Sequence, residues 1–455
     1  MNINPEIFRA YDVRGLYPAD INPEVAYRLG RAFGKYLKQS LGKVLPFSVV
    51  VGLDMRGSSP FLAREAIAGL NDQGIDVVEI GKVPAPAFYY AVAFKDYAGG
   101  LMVTASHNPK EYNGFKFCAA KAVPVARGSG LEEIQSYISL EEIRDKPGVK
   151  GRVSSLENIA QEYVRQDLAY VNYGKIKKLK IVADTANAMG AVYLDELFKI
   201  IPGDLIRLNW ELNGNMPIHE PNPLKIETLQ QLQAVIKNEK ADLGIATDGD
   251  GDRMALLDDQ AEIIPPAIIL GLVAQVLLKK YPGERIGYDP RLSRVAREMI
   301  LEAGGEPIQT PVGHSLIKAL MREKNILFSG ELSSHYYFRE NYNFESPAFV
   351  IAQLLLLRSG LDIPLSEIWQ SHKKYYHSGE INFEVSDKQA ALERLETKYA
   401  DGRVSKPDGL KVEYDDWWFN ARPSNTEPFL RLNLEADTEE LMKQRLGEVS
   451  LLIKG

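Results

Sequence analysis

The chain has 455 residues, 45% hydrophobic and 25% charged, the balance of an ordinary globular protein and long enough for about two to four domains. Its formal net charge of −7 argues against a nucleic-acid binder or a polybasic membrane-surface protein, while leaving room for an anionic small molecule held by local arginines. Cys118 is the only cysteine, so an intrachain disulfide and a cysteine-based zinc site are both excluded.

The first residues, MNINPEIFRAYDVRG, lack the apolar core of a secretory signal. The most apolar stretches, 267–278 and 348–357, are too short to span a bilayer. A soluble, cytoplasmic protein with no membrane or nucleic-acid partner is expected. Along the chain one arrangement then recurs three times. SVVVGLDMRGSSP runs as an apolar strand into Asp54 and a turn; helical stretches separate it from the strand GIDVVEIG and then from GGLMVTASHNP. LKIVADTANAMG (Asp184), GDLIRLNW and ADLGIATDGDGDR follow the same order, as do ERIGYDPRLSR (Asp289), GGEPIQTP and NILFSGELSSH.

Strands alternating with helical stretches predict βαβ units and a mainly parallel sheet, its short apolar strands covered on both faces. Strand–Asp–turn is also common punctuation in α/β proteins. What sets these copies apart is the polar residue that closes each third strand: Ser106, Asp248 and Glu331. Open α/β sheets collect ligands beyond the carboxyl ends of their strands, so three such loops could converge on one cleft. Beyond about residue 368 the pattern changes to strand, amphipathic helix, further strands, a polar loop and a closing helix, a smaller α+β module. The expected fold class is α/β: three tandem related α/β domains with mixed sheets (1–148, 149–255 and 256–370) plus a C-terminal α+β domain (371–455).

TDGDGDR (Thr247–Arg253) alternates Asp248, Asp250 and Asp252 with glycines, which let the backbone curl so that three carboxylates face one point. Hard oxygen donors suit Mg²⁺ or Ca²⁺ rather than zinc. A calcium loop of the EF-hand type would need glycine at the sixth position and glutamate at the twelfth, where Arg253 and Asp259 stand. An acidic, solvated turn is the alternative, and three spaced carboxylates at a strand end are costly to pack without a cation. They also underfill a magnesium shell, which leaves a place for a phosphate oxygen, and Arg253 could pair with the same phosphate. Ser106 offers that phosphate: a phosphoserine carries roughly −1.5 to −2 charges and would be both metal ligand and phosphoryl donor. Lys116 and His107 could help balance the charge.

GELSSH places Glu331, Ser333 and His335 at period two, so an extended chain would aim all three the same way. Glu331 and Ser333 then read as ligands for sugar hydroxyls and His335 as a proton-transfer group. RPSNTEP (422–428) combines arginine, hydroxyls and an amide in a tight turn between apolar strands, the parts of a phosphate cradle or of a plain surface turn.

These loops, in this order, resemble the α-D-phosphohexomutase superfamily, and within it the bacterial phosphomannomutase/phosphoglucomutase branch. The resemblance covers essentially the whole chain, through FRAYDVRG, TASHNPKEYNGFK, TDGDGDR, GELSSH and RPSNTEP. It implies four domains around a central cleft, with Ser106 phosphorylated and Mg²⁺ between its phosphate and Asp248, Asp250 and Asp252. Tyr11, Arg14, His107, Lys116 and Arg253 would line the reaction centre, with His335 as the counterpart of an acid/base group. Glu331 and Ser333 would bind the sugar; Arg422, Ser424, Asn425 and Thr426 would hold the non-reacting phosphate, with Arg291 and His314 also on the substrate.

The implied reaction moves a phosphoryl group between C1 and C6 of mannose or glucose phosphates through a hexose 1,6-bisphosphate, in a monomer or homodimer. Two positions depart from the family pattern: Ser334 stands where a glycine is usual and Arg291 where a lysine is expected. A phosphoglucosamine mutase is the alternative within the superfamily; a metal-dependent sugar-phosphate phosphohydrolase and a silent sugar-phosphate sensor are alternatives of other classes.

Overall fold

A computed structural model of the chain describes residues 3–42, 46–138, 149–424 and 429–455. The chain packs as two compact units, residues 1–264 with 333–368 and residues 265–332 with 369–455.

The first unit opens with β1 (Val13–Leu16), α1 (Pro23–Leu41), β2 (Ser48–Leu53), α2 (Ser59–Asn71), β3 (Asp76–Lys82), α3 (Ala85–Phe94), β4 (Gly99–Val103), β5 (Tyr112–Ala119), β6 (Val123–Pro124), α4 (Leu131–Ile138) and β7 (Val153–Ser155). Local chemistry sets the helix ends. Asn22 caps α1 by accepting from the Val25 N–H, Pro23 supplies the first helical residue, and Gly42 closes the helix with a left-handed φ of 55°. In the sheet, β2 lies parallel to β3 and to β4, and β5 returns antiparallel to β4. Val49, Val51, Leu101, Val103, Phe115 and Phe117 of these strands form its core with Leu62 and Leu70 of α2 and Leu29 and Phe33 of α1.

The same unit continues with α5 (Ile159–Leu168), β8 (Leu179–Asp184), α6 (Gly190–Ile200), β9 (Gly203–Leu208), α7 (Gln230–Glu239), β10 (Leu243–Thr247) and β11 (Met254–Leu257). Here β8 is parallel to both β9 and β10, and β11 is antiparallel to β10, Thr247 facing Met254. The domain boundary expected after residue 255 therefore falls inside β11, whose four buried apolar residues complete this sheet.

In the second unit come α8 (Pro266–Lys280), β12 (Arg285–Tyr288), α9 (Arg294–Glu302), β13 (Glu306–Gln309), α10 (His314–Lys324) and β14 (Phe328–Gly330), with β12 parallel to β13 and β14. The hairpin β15 (Tyr336–Phe338) and β16 (Phe344–Glu345) and the helix α11 (Pro347–Leu361) belong to the first unit. After α12 (Leu365–Gln370) the second unit resumes with β17 (Tyr376–Glu384), α13 (Lys388–Lys398), β18 (Arg403–Ser405), β19 (Leu410–Glu413), β20 (Trp417–Pro423), β21 (Phe429–Ala436) and α14 (Glu439–Lys454). These strands form an antiparallel sheet in the order β17-β21-β20-β19-β18.

The threefold pattern expected from the sequence is thus a repeated strand order, with the first strand flanked in parallel by the second and third. Each copy also ends its first strand in the same turn. The Asp54, Asp184 and Asp289 carboxylates accept the backbone N–H two residues on, from Arg56 (3.0 Å), Ala186 (2.9 Å) and Arg291 (2.9 Å). The two most apolar stretches of the sequence form α8 and α11, helices with little hydrophobic asymmetry and buried on most sides. Among the described residues no helix is long and apolar enough to cross a membrane.

Candidate active site

Within the first unit, the loops after β4 and β10 meet. Both strands are buried along their whole length, as strands covered on both faces should be. Ser106 takes a left-handed φ of 49°, and its Oγ–H donates to Asp248 Oδ2 at 2.8 Å, while His107 Nδ1 lies 3.3 Å from Ser106 Oγ. The approach is close enough to exclude a side chain between the loops: a Cβ on Gly249 would sit 2.2 Å from the Ser106 carbonyl oxygen. Gly251, at φ 72°, turns the loop back so that Asp248, Asp250 and Asp252 converge.

All three carboxylates are buried, and one oxygen from each lies within 4.8 Å of the others. Lys116 Nζ, on β5, reaches Asp250 and Asp252 at 2.7 Å each. Asp248 Oδ1 accepts the N–H groups of Asp252 (3.1 Å) and Arg253 (3.2 Å). Burial, and then the charges of Asp252 and Asp250, push the Asp248 carboxyl well above the usual range. For Asp252 burial acts in the same direction, but Lys116 and His335 outweigh it and hold the group well below that range. Burial depresses the Lys116 ammonium, yet the Asp250 and Asp252 charges win and keep it protonated far above its ordinary value.

Asp250 Oδ1 is buried with no hydrogen-bond partner. An oxygen-only donor set with an orphaned lone pair fits a hard divalent cation such as Mg²⁺. Asp252 also groups with His335 and Glu345 within 4.8 Å, a mixed set that shares its aspartate with the first.

Arg14, on β1, forks onto Asp12 (2.9 and 2.7 Å) and donates to Asn108 Oδ1 at 2.6 Å, which ties it to the serine loop. Tyr11 is half-buried in the bend that precedes β1. Burial drives the His107 imidazole well below its ordinary pKa, reinforced by the Arg253 and Arg14 charges. The ring is therefore neutral here, and Lys116 brings positive charge directly onto Asp250 and Asp252.

Arg253 Nε lies 3.2 Å from His335 Nε2 and 3.9 Å from Asp248 Oδ2. His335 Nε2 is also 3.3 Å from Asp252 Oδ1, and its Nδ1 is 3.0 Å from Ser333 Oγ. The two Nε2 contacts exclude each other. Accepting from Arg253 puts the ring proton on Nδ1, whereas donating to Asp252 requires it on Nε2. The geometry of GELSSH corrects the extended reading: residues 332–334 form a turn in which Ser334 adopts φ 63°. That is the conformation a glycine would take there, and it, not alternation, brings Ser333 to His335.

In the second unit Glu331 is buried just past β14. Arg291 grips Asp289 through Nε (2.9 and 3.0 Å) and places Nη1 3.3 Å from Glu380. Glu380 also receives Arg422 (3.2 Å) and Arg431 (3.3 Å), so three guanidiniums share one carboxylate. Burial raises the Glu380 pKa, but Arg291, Arg422 and Arg431 outweigh it and hold the group ionised. Ser424 is buried beside this cluster in sequence, and His314 begins α10; Asn425 and Thr426 lie outside the described residues.

Glu380 and Arg431 were not among the residues expected from sequence. Their signal is visible only once the strands are paired: Arg422 faces Arg431 directly across β20 and β21, a like-charged pair that needs an anion between.

Models for the four domains of phosphoglucomutase/phosphomannomutase match the chain in order. The alpha/beta/alpha domains I, II and III match residues 5–143, 161–261 and 265–376, and the C-terminal domain matches residues 380–451. The chain belongs to the phosphoglucomutase/phosphomannomutase family. It is a phosphohexose mutase, an isomerase. A protein of Vibrio cholerae named phosphomannomutase is 37% identical over 98% of this chain and 98% of its own length. One of Pseudomonas syringae named phosphomannomutase/phosphoglucomutase is 36% identical over 97% and 93%. The crystal structure of a phosphoglucomutase/phosphomannomutase family protein from Burkholderia thailandensis, 31% identical, superposes with a TM-score of 0.89 over 99% of this chain and 98% of that one. Three α/β domains and a C-terminal domain of another fold are the family's architecture in this chain.

Proposed function

We propose that this mutase interconverts the 1- and 6-phosphates of mannose and glucose, with Ser106 as the phosphoryl carrier and a hexose 1,6-bisphosphate as the intermediate. The observation that carries the reading is the Ser106 hydroxyl held 2.8 Å from Asp248, at the edge of three converged buried carboxylates. The sugars are taken from the names of the relatives in Vibrio cholerae and Pseudomonas syringae.

In the first transfer the free hydroxyl oxygen of a hexose monophosphate attacks phosphorus on phospho-Ser106. The bond from phosphorus to Ser106 Oγ breaks, and the hydroxyl proton passes to a base. His335 is suited to take it, because its Nε2 can be empty toward Arg253 or protonated toward Asp252 with little movement. The bisphosphate then reverses in the site, the freed Ser106 Oγ attacks the other phosphorus, the bond from that phosphorus to the sugar oxygen breaks, and the sugar oxygen takes back the proton from the base as the isomer leaves. Lys116 stays paired with Asp250 and Asp252, and its charge helps to hold Asp252 ionised. Mg²⁺ held by Asp248, Asp250 and Asp252 would supply positive charge against the transferring group, the electrostatic support on which phosphoryl transfer mostly depends. Arg291, Arg422, Ser424 and Arg431, with Asn425 and Thr426 from the sequence, would bind the phosphate that does not react, Glu331 and Ser333 the sugar hydroxyls; Tyr11, Arg14, His107 and His314 would complete the substrate's surroundings.

The test is turnover of mannose 1-phosphate, glucose 1-phosphate and glucosamine 1-phosphate in parallel, with Mg²⁺ and a trace of bisphosphate. Conversion of the first two is expected; dominance of the third would move the protein to the amino-sugar branch, and net release of inorganic phosphate would make it a hydrolase.

A further inference from the structure

Arg56, in the turn after β2, is 1% exposed, and it meets Ser106 through the backbone carbonyl rather than the hydroxyl. Its guanidinium spends every N–H it has. Nε donates to Asp54 Oδ2 at 3.2 Å; Nη1 donates to the carbonyls of Pro109 (2.7 Å) and Tyr112 (3.0 Å); Nη2 donates to those of Ser106 (2.8 Å) and Asn108 (2.6 Å). A guanidinium carries five N–H groups and no acceptor, so the side chain is saturated. Four of the five bonds go to backbone carbonyls between Ser106 and Tyr112, three in the loop that carries Ser106 and one on the first residue of β5. Asp54 is fixed in turn, since Oδ1 accepts the Arg56 N–H (3.0 Å) and the Ser59 hydroxyl (2.6 Å).

The loop needs such a centre. Ser106 has φ 49°, a conformation that costs an L-residue roughly 1–2 kcal/mol and survives where the surroundings over-determine it. Four carbonyl dipoles pointing at one spot would also repel each other without a cation among them.

We propose that Arg56 is a positioning residue for phosphoryl transfer: backed by Asp54, it gathers the carbonyls of residues 106, 108, 109 and 112 and so holds Ser106 in the left-handed conformation that aims Oγ at Asp248. The inference rests on the reading of Ser106 as the phosphoryl carrier. A lysine, with three donors on a flexible stem, cannot replace the fork even though it keeps the charge beside Asp54.

The test uses the full chain as wild type, Arg56→Lys, Arg56→Ala and Ser106→Ala, each incubated with glucose 1,6-bisphosphate and Mg²⁺. Intact mass gives the phosphate carried per chain, and single-turnover mixing with glucose 1-phosphate gives the transfer rate per phosphoserine. Melting temperature and the dissociation constant for glucose 1-phosphate are read alongside. Both Arg56 variants are expected to fold and to bind glucose 1-phosphate within about twofold of wild type, and to transfer about a hundredfold more slowly per phosphoserine, the scale of an ångström's misplacement. Methylguanidinium should restore part of the rate of Arg56→Ala and none of that of Ser106→Ala. An unchanged rate per phosphoserine, or a failure of both Arg56 variants to fold, would overturn the positioning role. A wild-type chain that turns over without ever carrying phosphate on Ser106 would instead overturn the carrier reading beneath it, a different result from a slow Arg56 variant.

Discussion

The Ser106 hydroxyl donates a hydrogen bond to Asp248 Oδ2 at 2.8 Å. Phosphorylation removes that proton and sets a dianion against a carboxylate, so the pair that attracts in the unmodified chain repels in the loaded one. Mg²⁺ is therefore expected to bind the phosphorylated chain at least about tenfold more tightly, since one unit charge at ~4 Å is worth on the order of 4 kcal/mol near a protein surface. Calorimetric titration of the two forms checks this; equal affinities would mean that the phosphate does not face the cation site.

Asp250 brings the orphaned oxygen of the cluster and shares Lys116 with Asp252. Asp250→Asn keeps the size of the side chain and removes one negative charge from the donor set. The Mg²⁺ concentration for half-maximal turnover should rise by more than about tenfold, because even outer-shell changes cost a metal site that much. A Mg²⁺ titration of initial rate that superposes on the wild type would remove Asp250 from the ligand set.

Gly249 lets the aspartate loop rest on the serine loop, and Gly249→Ala would drive a methyl to within 2.2 Å of the Ser106 carbonyl. The backbone must give way, and kcat is expected to fall about a hundredfold while the melting temperature changes by only a few degrees. Full activity in the variant would show that the two loops are not held in register by this contact.

Arg422→Ala withdraws one of the three guanidiniums around Glu380. Hydrogen bonds to charged groups contribute about 1.5–3 kcal/mol, so KM should rise roughly ten- to a hundredfold with kcat falling less. Equal damage to KM and to the phosphorylation of Ser106 by glucose 1,6-bisphosphate would place Arg422 outside the phosphate cradle.

Asp167, on α5, is buried and receives the Asn341 amide (2.5 Å) and the Phe349 N–H (3.0 Å), which ties α5 to α11. Burial raises its carboxyl to about 7 from an ordinary 3.8, despite those donors. The folded chain thus holds a proton that the unfolded chain has lost, and stability from this group falls as pH rises from about 4 through about 7. Asp167→Asn cannot ionise, so the wild type should lose melting temperature relative to the variant between pH 5 and pH 8. Parallel melting curves across that range would show that the carboxyl is ionised throughout.

Much of the fold was legible because strand and turn signals are local. The nine strands of the three copies and the aspartate after each first strand follow from short apolar runs and the turn chemistry behind them. The convergence of Asp248, Asp250 and Asp252 was legible for the same reason, since they are packed into one heptapeptide with glycines between. What sequence reasoning missed depends on partners far apart in the chain. Glu380 matters because β17 lies beside β21, and Arg431 because it faces Arg422 across the ladder. The neutral state of His107 follows from burial and two arginines that no local pattern names. The period-two reading of GELSSH failed because Ser334 took a conformation the alphabet of side chains disfavours, and only the fold could impose it.

The same turn closes the first strand in all three copies, yet its second residue has three fates. In the first copy Arg56 reaches back over the serine loop. In the third, Arg291 reaches Glu380. In the middle copy Ala186 leaves Asp184 to Asn209 (3.0 Å) and His219 (3.1 Å). The three turns are the same socket, and each is wired to a different neighbour. The frame is the same each time, and what the residue two past the aspartate can reach decides what that frame holds.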